Sequence, residues 1–220
     1  MKHRGIALLC AWMVTAFAHA EVSEVKIAPS YGIAYLPLVV MEQNRLLEKH
    51  AKAAGLGEIK VNWVTISGGA GMNDALLSGN VDFVSGGIPP FALLWEKTRG
   101  AVKGVAALSA MPIFLNTRNP NVKTIRDFTP ASRIALPAVK SSAQAIFLQM
   151  AAEQAFGEGN YAKLDPLTIA MPHPEATALL LSGKGEVDSN FSSPPFQYQQ
   201  LEHSGVHTVL NSYETLGGPA

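Results

Sequence analysis

Serine and glycine are grouped at places where they could hold a small polar solute: Ser67-Gly68-Gly69, Ser85-Gly86-Gly87, Ser141-Ser142, and Asn190 with Ser192-Ser193. Glycine lets backbone N–H groups approach a ligand closely, and serine hydroxyls and the asparagine amide add donors. Each group leads into a segment that reads as a helix start. There the free N–H groups and the positive helix end favour an anion. The same serines could equally be plain helix N-caps. Tyr31 and Tyr35 flank the first strand–helix loop and offer an aromatic wall with a hydroxyl tip, or core packing. His173, between Pro172 and Pro174, could touch a ligand but reads more simply as a surface-loop histidine. These loops contain no Arg and only Lys140 is near, so no bidentate carboxylate clamp is evident.

Signatures of covalent chemistry are missing. There is no G-x-S-x-G elbow, no phosphate loop, and Gly69-Ala70-Gly71 lacks the third glycine of a dinucleotide fingerprint. His203 and His207 are spaced i, i+4, but Gly205 lies between them and only Glu202 is at hand, so no metal site is expected. Asp82 and Asp188 fall at strand positions and are expected to tie strands to neighbouring backbone, not to form an acid/base pair. No catalytic residue, cofactor or metal is therefore expected.

The elements that must position these loops alternate strand and helix. Strands are expected at Val25–Ala28, Val61–Ile66, Val81–Val84, Arg133–Leu136, Leu167–Ala170 and Val187–Asn190. Between them, one helix is expected from Pro37 to a stop at Gly55, a short one from Met72 to Leu77, and one opened by Pro89 and Pro90 running to Lys97. In the second half, a helix carries Ala143, Ile146, Phe147, Met150, Ala151 and Ala155 on one face, and another spans Glu175–Leu181. Such alternation implies mostly parallel sheets covered on both faces. Ligands of such sheets bind beyond the carboxyl ends of the strands, which is where the Ser/Gly groups fall.

The two halves share a pattern. Leu76-Leu77-Ser78-Gly79, then Val81-Asp82, then Pro89-Pro90-Phe91 is matched by Leu180-Leu181-Ser182-Gly183, Val187-Asp188 and Pro194-Pro195-Phe196. The offset is 104 residues at the first step and 105 at the proline step. Three aligned pieces in one order imply two lobes of similar topology, with half-sites facing across a cleft lined by neutral donors.

Residues 1–20 are different in kind. Lys2, His3 and Arg4 precede an apolar run from Ile6 to Ala18 broken only by Thr15, and Ala18-His19-Ala20 reads as a cleavage site. This is the order of a secretory signal peptide, too short to span a bilayer. The chain of 220 residues carries 17 Lys+Arg against 17 Asp+Glu, and loss of Lys2 and Arg4 with the leader leaves 15 basic residues and a net charge of −2. That balance excludes a nucleic-acid binder that works through a basic surface. The single cysteine, Cys10, leaves as well, so the exported chain has no thiol and is indifferent to an oxidising compartment.

Lys26-Ile27-Ala28 with Tyr31 and Tyr35-Leu36-Pro37-Leu38, the run Ala75-Leu76-Leu77-Ser78-Gly79-Asn80-Val81-Asp82-Phe83, and Ala178-Leu179-Leu180 through Val187-Asp188 together resemble the substrate-binding proteins of ABC importers. The nearest kinds are the nitrate/sulfonate/taurine type and the related thiamine-pyrimidine-precursor type. The resemblance covers about residues 22 to 215. It implies a two-lobed α/β fold of the periplasmic-binding-protein type II class, mostly parallel, with a hinge. The divisions implied are a leader at 1–20, lobe 1 at 21–112, lobe 2 at 113–210, and a return crossing at 211–220. Met111, Pro112 and Ile113 would form the first crossing. Members of the family usually continue past the return crossing, so the C-terminal part reads as missing, which would leave part of the first lobe's sheet uncovered. The implied function is capture of a small anionic or polar solute such as a sulfonate, taurine or nitrate, with an inner-membrane permease as partner and a monomer in the periplasm. Alternatives are a pyrimidine or other aromatic solute, for which Tyr31, Tyr35 and Phe191 leave room, or an enzyme of the same fold of the menaquinone-pathway or pyrimidine-synthase type. A third is the effector domain of a transcription regulator, which export and the lack of preceding DNA-binding helices speak against.

Overall fold

The computed structural model describes residues 22–217; the expected leader and the last three residues lie outside them. The first strand, β1 (Glu24–Ala28), is central in a three-stranded sheet, with β2 (Lys60–Trp63) on one side and β3 (Phe83–Val84) on the other, all parallel. The extended run after β2 goes on bonding to the neighbouring chain, Val64 N–H to Ile27 O at 3.0 Å and Ile66 N–H to Pro29 O at 3.0 Å. The expected strand to Ile66 is therefore present as hydrogen bonding beyond the regular ladder.

The helix expected from Pro37 to Gly55 is two helices, α1 (Leu36–Gln43) and α2 (Leu46–Ala53). Asn44 stops the first: its amide donates to Val40 O at 2.9 Å, and Arg45 follows with a left-handed φ of 50°. Asparagine competes for the helix's own carbonyls and suits such a stop. Two more helices complete this half, α3 (Gly69–Leu77) and α4 (Ile88–Lys97). Its core is small, with Ala28, Met72 and Val81 buried against Ile66, Ala75, Leu76 and Val84. Cover is incomplete, as Phe83 on β3 is 47% exposed and Trp95 on α4 is 52% exposed.

The second sheet runs β6-β5-β7-β4-β8, formed by β4 (Phe114–Thr117), β5 (Ile134–Leu136), β6 (Thr168–Ala170), β7 (Ser189–Ser192) and β8 (His207–Asn211). Strands β5, β6 and β7 are parallel, while β4 is antiparallel to both β7 and β8. Mostly parallel is correct, but β4 and β8 were expected only as crossings between the lobes, not as members of the second sheet. They lie in the sequence where the crossings were placed. Helices α5 (Ala143–Phe156), α6 (His173–Ser182), α7 (Phe196–Leu201) and α8 (Ser212–Leu216) complete the chain. The large core buries Leu115, Ile134, Leu136 and Phe191 of the sheet against Phe147, Leu148, Ala151 and Ala152 of α5. The face that α5 buries includes Gln144, Ala145 and Leu148, one residue round from the face expected through Ile146 and Met150. A helix apolar on nearly every side does not choose its face by polarity.

The repeat is borne out in local structure. Gly79 and Gly183 end α3 and α6 with φ of 71° and 66°. Ser78 Oγ donates to Ala75 O, and Ser182 Oγ to Leu179 O, three residues back in each case. The Asp82 carboxylate accepts the Lys26 backbone N–H at 2.8 Å, and the Asp188 carboxylate accepts that of Arg133 at 3.1 Å. Both aspartates thus tie their strand to its neighbour at the entry to the sheet, as expected of them. Pro89-Pro90-Phe91 opens α4, and Pro194-Pro195-Phe196 opens α7.

Next to the β4–β8 pairing, Ile113 and Ser212 are bonded reciprocally: Ile113 N–H donates to Ser212 Oγ at 3.0 Å, and Ser212 N–H donates to Ile113 O at 3.0 Å. The segment that leaves the first half and the one that follows β8 therefore run side by side.

Candidate inter-lobe binding site

Parallel strands deliver all their C-terminal loops to one edge of a sheet. The loops after β1, β2 and β3 meet those after β5 and β7. Ile33 N–H donates to Pro194 O at 3.1 Å across the seam. A Cβ on Gly68 would stand 2.5 Å from Pro137 O and 3.0 Å from the Ala138 Cβ. One on Gly69 would come within 3.5 Å of Ser141 O, and one on Gly87 within 3.1 Å of the Ala143 Cβ. The glycine and serine turns of the two halves thus face and touch each other. Gly68 needs its lack of a side chain twice over, since its φ is 78° and Pro137 leaves no room.

Gly68→Ala is therefore expected to hold the two halves apart. Gly55→Ala is the control, because Gly55 has a similar φ of 76° and nothing within 4 Å of its added Cβ. Each replacement should cost about 1–2 kcal/mol in backbone strain. Only the first should enlarge the radius of gyration in small-angle X-ray scattering, and equal profiles for the two variants would refute the close approach.

The side chains expected to bind fall into distinct positions. Ser67 is half-buried, and Gly68 and Gly69 are buried at the seam. Gly86 and Gly87 are exposed just ahead of α4. Ser85 Oγ donates to Ala28 O at 3.0 Å, so it ties the end of β3 to β1. Ser142 is the N-cap of α5: its Oγ accepts the Ala145 N–H at 3.2 Å and donates to Ala138 O at 2.8 Å. Ser141 Oγ makes only a long contact to Val139 O, at 3.4 Å. Ser193 is buried and its Oγ lies 3.5 Å from the point where a Gly32 Cβ would stand, so it faces the first half.

Asn190 and Ser192 are not loop residues. Strand β7 runs on to Ser192, two residues past the expected end, because its parallel pairing with β5 and its antiparallel pairing with β4 hold it extended. Ser192 Oγ accepts from Gln200 Nε2 at 3.2 Å, inside the second half. Asn190 is fully buried, and neither atom of its amide has a partner. Phe191 is fully buried in the core and cannot wall a pocket for an aromatic solute. Tyr31 is 39% exposed. Tyr35 is half-buried, and burial pushes its phenol up, partly offset by a hydrogen bond with Ser30.

A residue read as surface loop is buried behind the seam, against Phe196. His173 opens α6 and is 6% exposed. Its ring lies tilted against Phe196 with centroids 5.7 Å apart, and its Nε2 is 3.4 Å from Nε2 of Gln144. Burial lowers its pKa to about 4, so the ring is neutral at neutral pH. The signal was present in Pro172, Pro174 and Glu175, which suit a helix's first turn. Gln144 was missed because α5 buries a rotated face.

Among the described residues, no group of three or more His, Asp or Glu side chains is placed to hold a metal ion, and no helix is long and apolar enough to cross a membrane. Two surface concavities lie elsewhere, one of about 210 Å³ beside Arg118, Gly183 and His203, the other of about 430 Å³ along α2 beside Arg45, Lys49 and Glu58.

No protein-family model matches the chain, and no curated protein sequence does. Solved structures do match. The periplasmic aliphatic sulphonate binding protein SsuA from Escherichia coli is 22% identical with a TM-score of 0.56, over 87% of this chain and 61% of that one. The alkanesulfonate-binding protein SsuA from Xanthomonas axonopodis pv. citri, solved with MOPS, is 20% identical with a TM-score of 0.64, over 87% and 62%. A structure from Bordetella bronchiseptica is 21% identical with a TM-score of 0.69, over 90% and 62%. The chain spans about three fifths of the length of these structures. Their likeness establishes the fold: a two-lobed, mostly parallel α/β architecture of the periplasmic-binding-protein kind.

Proposed function

We propose that the chain is the solute-binding component of an ABC importer and captures a small oxyanion-bearing solute, of the sulfonate kind, between its lobes. One observation carries the reading. The Ser/Gly turns at the C-terminal edges of both sheets meet face to face, with Gly68 and Gly69 against Pro137 and Ser141, and Gly32 and Ile33 against Ser193 and Pro194. A ligand admitted there would meet backbone N–H groups and helix N-termini rather than charged side chains. Two neighbours of the same fold are named as binders of sulfonates, which supports this solute class. In this reading the lobes part and close about the crossings, with Met111, Pro112 and Ile113 as hinge, and the closed form docks on a membrane permease from the periplasm. No bond is made or broken in the solute, so the chain acts as a receptor and not as an enzyme.

A thermal-shift titration of the purified chain with ethanesulfonate, taurine, nitrate and a hydroxymethylpyrimidine tests this. Ethanesulfonate is expected to raise the Tm with concentration, as a ligand of the native state must. A shift with the pyrimidine alone would replace the solute class. No shift with any probe would count against solute capture.

A further inference from the structure

Among the described residues, buried polar atoms without a hydrogen-bond partner include Arg118 Nε, both amide atoms of Asn190, Thr215 Oγ1 and His173 Nδ1. His173 is the one packed on a ring that reaches the other lobe. Gln144, on one side of its ring, follows Ala143, whose Cβ lies 3.1 Å from the point where a Gly87 Cβ would stand. Phe196, on the other side, lies 3.9 Å from the corresponding point at Gly32. The imidazole is therefore set between Gln144, next in sequence to Ala143 at the seam, and Phe196, whose ring reaches the first lobe's Gly32, at the N-terminus of a ten-residue helix.

The tautomer follows from its neighbours. With the Gln144 amide nitrogen donating to Nε2, that ring nitrogen is the acceptor and the proton resides on Nδ1. Nδ1 then carries an N–H that no acceptor among the described residues meets. A buried donor without a partner bears the whole cost of its desolvation, which an acceptor supplied from outside the chain would offset. The neighbouring helix end favours that acceptor being negative.

We propose that His173 is a specificity-determining donor of the inter-lobe site, giving its Nδ1–H to an oxygen of an oxyanion, and that Gln144 is the positioning residue that fixes the tautomer. The inference rests on the solute-capture reading above. It adds a neutral, directional donor that selects an oxygen acceptor, where backbone N–H groups and dipoles alone would take any small anion.

Isothermal titration of the full chain with ethanesulfonate tests it. His173→Phe keeps a ring and removes the donor, and is expected to weaken binding by about tenfold or more. His173→Asn keeps an N–H near the same place and is expected to stay within about threefold of the wild type, a rescue that a purely packing role would not produce. The ring ¹⁵N shifts should show Nδ1 protonated in the wild type, and a mixture of tautomers in Gln144→Leu. Unchanged affinity in His173→Phe, or a proton on Nε2, would overturn the inference while leaving solute capture standing. A wild type that binds no probe would remove both.

Discussion

Replacing Gln197 with leucine is expected to destabilise the chain by about 2–5 kcal/mol and to lower the Tm by on the order of 5–15 °C. Gln197 is fully buried on α7, and its amide bonds to the backbone of the crossing at Pro112 and Phe114. Its Oε1 accepts the Phe114 N–H at 3.0 Å, and its Nε2 donates to Pro112 O at 3.1 Å. Leucine nearly matches the volume, so the loss comes from two orphaned backbone groups rather than a cavity. The site is also a junction: Pro194, three residues before Gln197, accepts the Ile33 N–H from the other lobe. One short helix thus bonds to the crossing segment and follows directly on the point where the lobes meet. Hydrogen exchange reads this directly. The Phe114 amide should exchange faster in the variant, and Gln197→Met should behave like Gln197→Leu. A Tm within about 1 °C of wild type, with Phe114 still protected, would show that the clamp contributes nothing.

Below Gln197 the same chemistry continues. Asn116 Nδ2 donates to Gln197 O at 2.9 Å and Gln200 Oε1 at 3.0 Å, Gln200 Nε2 donates to Thr177 Oγ1 at 2.8 Å, and Thr208 Oγ1 donates to Asn116 Oδ1 at 2.8 Å. On this face of the second sheet α7 packs through amides and hydroxyls beside an apolar patch of Ala135, Ala176 and Val187, while the opposite face packs through Leu115, Leu136 and Phe191. That division explains what could be read from the chain alone. The strands β1, β5 and β6 and the helices that follow β5 and β6 were legible because apolar runs and proline or glycine punctuation mark them. The paired aspartates were legible because a repeated Val-Asp step at a strand's entry has one economical use. Strands β4 and β8 were legible only as crossings, because Asn116 and Thr117 are polar residues at buried positions of β4, and every residue of β8 is half-buried, so neither shows the alternation that periodicity detects.

The candidate site divides the same way. The Ser/Gly turns announce themselves, since glycine at a strand's end has few other reasons to recur. Ser192 was misplaced because the end of this strand depends on its partner β4, which is remote in sequence. His173 was misread because a histidine between two prolines resembles a loop until the helix beyond it is seen to pack on the sheet. Its neighbours Gln144 and Phe196 lie 29 and 23 residues away, so nothing local foretells its burial.

That burial sets the chain's response to acid. His173 has an ordinary value of 6.5 in the unfolded chain and about 4 when folded, and the cause is loss of solvent alone. The groups packed on it, Gln144 and Phe196, carry no charge, and Glu175 of the same helix turn is exposed. Between those two values the unfolded chain binds a proton that the folded chain refuses, so stability rises with pH across that window. The contribution is complete above about pH 7, and falls away as pH drops from 6.5 toward 4, by about 3 kcal/mol in all. Asp127 acts in a different window. Backbone N–H groups of Thr124 and Lys123 hold its carboxyl below its ordinary 3.8, so its contribution is lost only in stronger acid. Denaturant unfolding of the wild type and His173→Asn at pH 7.5, 6.0 and 4.5 separates the two. The stability difference between the proteins should shift by about 2–3 kcal/mol in favour of the variant as pH falls, while both remain folded. Parallel pH profiles would mean that the folded imidazole titrates like the unfolded one, and that burial does not withhold the proton.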